Sequence, residues 1–265
     1  IAQLASMAGF RTILFDINKE TLKKAESTIQ KNLSKGIEKG KVTEEERNKA
    51  LELLIYKDDL NAVKADFIIE AVIEKLEVKK QLFKKLESFN APDTIYASNT
   101  SSIPITQIGA NLNHPAQFVG MHFFNPAHIM KLVEVISGVS TNSVVAQITY
   151  DLALKFGKSP VMAADSPGFI VNRVARHFYV ESLKILEEGI TDIESIDKLL
   201  TASGFKMGPF QLMDLIGVDT NFSVTASMFN SFYHDPKFRP SRIQQQKVDA
   251  GHHGRKSGKG FYDYE

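Results

Sequence analysis

A chain of 265 residues, 43% hydrophobic and 24% charged, has the make-up of a globular protein with room for one large core or two modest ones. Its formal net charge of +1 gives no electrostatic reason to expect nucleic acid or a membrane surface as partner, and its lack of cysteine excludes disulfides, thiolate metal sites and a cysteine nucleophile. No apolar run approaches the roughly 20 residues of a membrane helix, no secretory signal is expected from the alanine-rich helical opening, and the expected compartment is the cytoplasm.

Residues 1–9 read as an amphipathic helix already under way, with no cap before it, so a strand and a loop are expected to precede it. Residues 10–15, FRTILF, form a short β-rich run that ends at Asp16. A helix followed by a strand ending in an acid is the second half of a βαβ dinucleotide unit, where the acid bonds the adenosine ribose hydroxyls. An acid there favours NAD over NADP, because a 2′-phosphate would meet like charge. Asp16 would equally serve as a cap on the helix that follows.

Residues 18–40 are helical in pattern and rich in Lys and Glu. Gly40 stops the helix, and Thr43 with Glu46 forms a capping-box pattern that opens a second one. The pair is longer than a plain crossover helix, so it is expected to project from the sheet with a solvated face. Lys31, Lys35 and Lys39 on it could also meet an anionic ligand. Residues 65–72 read as a buried parallel strand with Glu70 at its end, followed by a helix over about 75–88. A further strand at 94–97 runs into Ser98-Asn99-Thr100-Ser101-Ser102. Ligands bind at such carboxyl ends in open α/β sheets, although local turn caps account for the same cluster.

Two β-like runs, 117–124 and 131–137, flank a turn carrying Asn125-Pro126. His122 lies near the end of the first, and Glu134 sits in the second among Leu132, Val133, Val135 and Ile136. A carboxylate in so apolar a run is costly to bury unless paired, and His122 is the nearest partner. An imidazole held by a buried carboxylate has a fixed tautomer and suits acid–base work near neutral pH. An exposed Glu on an edge strand beside an ordinary core His fits the same spacing.

A helix at 143–156 and a strand near 159–163 complete this region, and beyond Asp165-Ser166-Pro167-Gly168 the pattern becomes all-helical, over 169–189, 192–203, 208–216 and 219–233. The domain boundary is placed there, dividing 1–165 from 166–265. Asn172 and Arg173 interrupt an apolar first turn, as a structural cap or as a ligand contact. Pro209 falls near the first position of its helix. The glycine-rich tail at 254–264 either packs back over a cleft or frays. No His/Asp/Glu cluster has metal-ligand spacing.

Six motifs occur in order: SNTSS at 98–102, HFFNP at 122–126, MKLVEV at 130–135, DSPGFIVNR at 165–173, MGPF at 207–210 and GRKSGKGFY at 254–262. Together, and over essentially the whole chain, they resemble the NAD-dependent 3-hydroxyacyl-CoA dehydrogenases, particularly the bacterial 3-hydroxybutyryl-CoA dehydrogenases. The resemblance implies an α/β Rossmann-type NAD-binding domain with a projecting helix pair over 1–165, its first strand and glycine-rich loop lying before Ile1. An all-helical domain over 166–265 would follow, making a homodimer and contributing to the substrate site. The implied reaction is hydride transfer between NAD and C3 of a 3-hydroxyacyl-CoA. His122 matches the catalytic base and Glu134 its orienting carboxylate. Ser101 and Asn172 match polar contacts to the reacting oxygen and the acyl carbonyl. Asp16, Glu70, Lys75, Asn99, Ser101, Asn125 and Lys256 match positions around NAD, and Asn32 and Lys39 match positions touching coenzyme A.

His128 departs from the pattern, since relatives often carry a small or apolar residue there. His122 is the stronger candidate because it ends the strand ahead of the turn. FRPSRIQQQ at 238–246 is similar to 3-hydroxyadipyl-CoA dehydrogenases of aromatic-compound breakdown. A basic residue poised to receive a distal carboxylate would separate that reading from the shorter acyl chain. A non-catalytic, crystallin-like relative would show a broken His–Glu pair or a substituted Ser101 or Asn172, and all four are intact.

Overall fold

The structure, a computed structural model, describes residues 1–264. The chain divides into two compact units, one from Ile1 to Asp165 and one beginning at Ser166.

The first unit opens with α1 (Ala2–Met7), β1 (Thr12–Phe15), α2 (Lys19–Glu38), α3 (Glu44–Glu52) and β2 (Leu54–Lys57). β1 and β2 pair in parallel, with Thr12 opposite Leu54. The sequence pattern gives no sign of β2, because a single residue separates it from α3 and no Gly or Pro marks the change. Asn18 caps α2 by accepting from the amides of Glu20 and Thr21, and both halves of the Thr43–Glu46 capping box form at α3. Ile29 and Leu33 of α2 and Leu51 of α3 pack with Leu14, Leu54 and Tyr56 of the strands. That apolar contact roots the helix pair on the two-stranded sheet and leaves its charged face solvated.

A five-stranded sheet follows, built from β3 (Phe67–Glu70), β4 (Ile95–Ser98), β5 (Phe118–Phe123), β6 (Leu132–Ser137) and β7 (Ser159–Ala164), side by side in that order. β3, β4 and β5 run parallel, β6 is antiparallel to β5, and β7 is parallel to β6. α4 (Leu76–Glu87), α5 (Ile105–Gly109) and α6 (Ser143–Lys155) connect the strands. β4 and β5 are buried at every residue, which is why their sequences are almost continuously apolar. Val119, Met121, Val133 and Val135 form the core with Val145 and Ala153 of α6. The parallel run places the carboxyl ends of β3, β4 and β5 at one edge, and the 98–102 loop and the turn after Phe123 emerge there.

The second unit is helical apart from short bridges in its tail: α7 (Val171–Glu187), α8 (Ile193–Ala202), α9 (Pro209–Ile216), α10 (Val218–Ser231) and α11 (Arg242–Asp249). α7 starts two residues later than its apolar pattern, because Gly168 and Phe169 hold positive φ of 72° and 49°, a conformation that cannot continue into a right-handed helix. α11, which periodicity does not reveal, is capped by Ser241 accepting from the Gln244 amide. Tyr179, Leu183, Ile196, Phe210, Met213 and Phe261 form its core. The tail is fastened into this unit: buried Asp214 accepts from the amides of Phe261 and Tyr262 and from the Tyr264 hydroxyl. No helix among the described residues is long and apolar enough to cross a membrane, and no group of His, Cys, Asp or Glu among them could hold a metal ion.

Candidate active site

The β5–β6 register sets His122 directly opposite Glu134, and the two side chains meet at 2.7 Å between Nδ1 and Oε2. Both are buried, at 5% and 1% side-chain exposure. β6 is an interior strand between β5 and β7, so Glu134 does not sit on a sheet edge. A carboxylate only accepts, so Nδ1 is the donor and proton exchange with any reactant falls to Nε2. The Phe124 ring lies 4.6 Å from the imidazole, centroid to centroid.

The loop after β4 is held against this pair. Asn99 Oδ1 accepts from the Phe123 amide at 2.8 Å, one residue from His122. Beyond it, one oxygen of Glu74 gathers the loop: it accepts from the Thr100 hydroxyl at 2.5 Å, the Ser101 and Ser102 amides at 2.9 and 3.1 Å, and the Ser102 hydroxyl at 3.2 Å. Lys79 stands behind, its Nζ 2.6 Å from Glu70 and 3.2 Å from Glu74. The other Glu70 oxygen accepts from the Ser98 hydroxyl at 2.7 Å. Glu74 and Lys79 escape a reading of the sequence because they fall in a charge-rich stretch that resembles a solvated helix face. One signal is nonetheless present: Lys79 shares the buried stripe of α4 with Phe83 and Leu86.

Burial alone would raise the Glu74 carboxyl, but the Thr100 hydroxyl, the Lys79 ammonium and the Ser101 amide outweigh it and hold the group below the ordinary carboxylate range. A carboxyl depressed in the folded state stabilises the fold above its unfolded pKa, about 4.3, and contributes less as pH falls through the lower folded value. Urea midpoints of the parent and Glu74→Gln should therefore differ by a constant amount from about pH 7 to 5 and converge below about pH 4. A gap indifferent to pH would mean that the carboxylate does not clamp the loop.

Residues 1–166 match the NAD binding domain of 3-hydroxyacyl-CoA dehydrogenases, and residues 168–264 match the C-terminal domain of the same enzymes. The chain belongs to the 3-hydroxyacyl-CoA dehydrogenase family. It is 46% identical, over its whole length, to the 3-hydroxyadipyl-CoA dehydrogenase of Escherichia coli K12, of which it spans 56%. It is 41% identical, again over its whole length, to the probable 3-hydroxybutyryl-CoA dehydrogenase of Bacillus subtilis, spanning 93% of that protein. The crystal structure of (S)-3-hydroxybutyryl-CoA dehydrogenase from Ralstonia eutropha superposes with a TM-score of 0.96 at 34% identity, covering all of this chain and 94% of that one. The family read from the six motifs is the one both domain matches return, and with it the Rossmann-type and helical halves.

Within this 3-hydroxyacyl-CoA dehydrogenase fold the remaining candidates are dispersed. Asp16 lies just past β1 and accepts from the Asn18 amide at 2.8 Å. Ile17 beside it is 84% exposed, and Ile73, past β3, is 60% exposed. An acid for ribose hydroxyls, a large apolar side chain open beside it and a hydroxyl-rich loop are what a dinucleotide requires, and these residues fit NAD. Lys75, at the N-cap of α4, and Asn125, in the turn after β5, are both exposed. His128 is exposed in that same turn, outside the sheet that buries His122. The turn is braced by Lys158, whose buried ammonium donates to the carbonyls of Ala127 and Met130. On the helix pair, Asn32 donates to Gln3 at 3.4 Å, and Lys39 is exposed at the end of α2. Asn172 and Lys256 belong to the second unit, in the first turn of α7 and in the tail, where Lys256 pairs with Asp219 at 2.6 Å. The first unit thus gathers His122, Glu134, Asn99, Glu70 and the 98–102 loop at one end of the large sheet.

Proposed function

We propose that this protein interconverts a 3-hydroxyacyl-CoA and its 3-ketoacyl-CoA, with His122 as the general base in oxidation and the general acid in reduction. The observation that carries the reading is the buried His122–Glu134 pair at the carboxyl end of β5. NAD, when bound, supplies the acceptor for the hydride that leaves C3. His122 takes the C3 hydroxyl proton on Nε2, and Glu134 stabilises the resulting imidazolium and fixes the ring. Ser101 and Asn172 steady the reacting oxygen and the acyl carbonyl, on the family's pattern. Asp16, Glu70, Lys75, Asn99, Asn125 and Lys256 hold the nucleotide, while Asn32 and the exposed ammonium of Lys39 meet coenzyme A. The helical unit makes a homodimer, and the protein works in the cytoplasm. The presence of His122, Glu134, Ser101 and Asn172 together argues against a non-catalytic relative.

Of the two relatives named above, one is named for a 3-hydroxyadipyl and the other for a 3-hydroxybutyryl acyl group. Acetoacetyl-CoA serves both, being the simplest 3-ketoacyl thioester. Purified protein is expected to oxidise NADH in step with acetoacetyl-CoA reduction, followed by absorbance. No NADH consumption at saturating acetoacetyl-CoA, together with no NAD reduction by 3-hydroxyadipyl-CoA, would overturn the proposal.

A further inference from the structure

Arg176 is a buried cation of the helical unit that the proposed reaction leaves unused. It sits on α7 four residues after Asn172, so the two positions share one helix face with their Cα atoms about 6 Å apart along the axis. The residue is 3% exposed. Its Nη1 donates to the main-chain oxygen of Asn221 at 2.9 Å, to Asn221 Oδ1 at 3.3 Å and to the Thr225 hydroxyl at 2.7 Å. Every one of those acceptors is neutral. Its Nε is buried with no hydrogen-bond partner among the described residues. Burial lowers the guanidinium to about 10, opposed only by the Tyr179 ring beside it.

Burying a cation without a counter-charge is costly, and structural arginines ordinarily meet a carboxylate. Here the neutral acceptors orient the planar fork, and no carboxylate among the described residues pairs with the charge. A bound anion would supply what the protein does not. Resting on the acyl-CoA reading above, we propose that Arg176 receives a second carboxylate at the far end of the acyl chain, and that the preferred substrate is a 3-hydroxy-dicarboxylyl-CoA of about adipyl length. The helix sets only the scale: the Cα atoms of Asn172 and Arg176 lie about 6 Å apart along the axis, comparable with an extended adipyl chain that has its acyl carbonyl at Asn172.

The test compares 3-hydroxyadipyl-CoA with 3-hydroxyhexanoyl-CoA, matched in carbon number and differing in the distal carboxylate. The parent protein is expected to favour the dicarboxylyl substrate by at least about tenfold in kcat/KM, since a site built around a buried polar group discriminates strongly against the analogue lacking its partner. Arg176→Met should bring that ratio close to unity, mainly through KM for the dicarboxylyl substrate, and Arg176→Lys should restore part of it. A ratio that Arg176→Met leaves intact would make the residue a brace between α7 and α10 and overturn the proposal. The parent's own ratio needs no variant to fold, and a value near unity overturns the proposal equally. Turnover of neutral substrates without dicarboxylyl preference sinks this inference alone, whereas no turnover of either compound or of acetoacetyl-CoA sinks the reaction it rests on.

Discussion

His122→Gln is expected to lose turnover by about 10²- to 10⁴-fold while binding NAD as tightly as the parent. Glutamine keeps an amide that can donate to Glu134, so the buried carboxylate retains a partner and the sheet its register. What it cannot do is take up a proton near neutral pH, and that is the only property the reaction asks of residue 122. His122→Ala would confuse the result, because stripping Glu134 of the donor it has in His122 costs about 1–3 kcal/mol of stability on its own. Steady-state NADH oxidation with acetoacetyl-CoA, alongside a nucleotide titration, separates the two quantities. Ordinary turnover in His122→Gln would take the imidazole out of the mechanism. Glu134→Gln is the companion: it should lower turnover and alter the pH profile of kcat/KM, and an unaltered profile would mean the acid does not tune the base.

The His122–Glu134 contact is legible in the sequence because strand arithmetic is simple. Two runs joined by a short turn must pair antiparallel, side chains alternate, and the apolar neighbours of Glu134 mark its strand as buried. The parallel strands β3 and β4 are legible as short, largely apolar runs. Other features depend on three-dimensional circumstances that no local pattern records. β2 has only four residues and follows α3 without punctuation. Phe169 adopts a positive φ that non-glycine residues rarely take, so nothing in its identity announces the delayed start of α7. Arg176 looks like one more charge on an amphipathic helix, since having no carboxylate partner among the described residues is a property of the packed unit. Glu74 and Lys79 are ordinary members of a charged run until the turn after β3 folds one onto the 98–102 loop and the other between two carboxylates.

That last arrangement has the largest expected effect on stability. Lys79→Met should cost about 3–5 kcal/mol, the penalty typical of removing one partner from a buried ion pair. Methionine occupies much the same volume as the lysine stem, so the packing beside Phe83 and Leu86 is kept and the loss is electrostatic. Lys79 and Glu70 are each only 1% exposed in their side chains, and water cannot replace the ammonium. Glu70 would retain the Val72 amide and the Ser98 hydroxyl as donors, which are neutral groups facing a full charge. Adding Glu70→Gln to Lys79→Met should therefore recover much of the loss, because the second change removes the uncompensated charge that the first creates. Exposed pairs such as Lys184 with Glu181 should show no comparable cost, since water screens them. Urea unfolding of the parent, both single variants and the double variant gives the coupling directly. A loss below about 1 kcal/mol in Lys79→Met would place this pair with surface ion pairs, and the rigidity of the 98–102 loop would then have to come from Glu74 and its four donors alone.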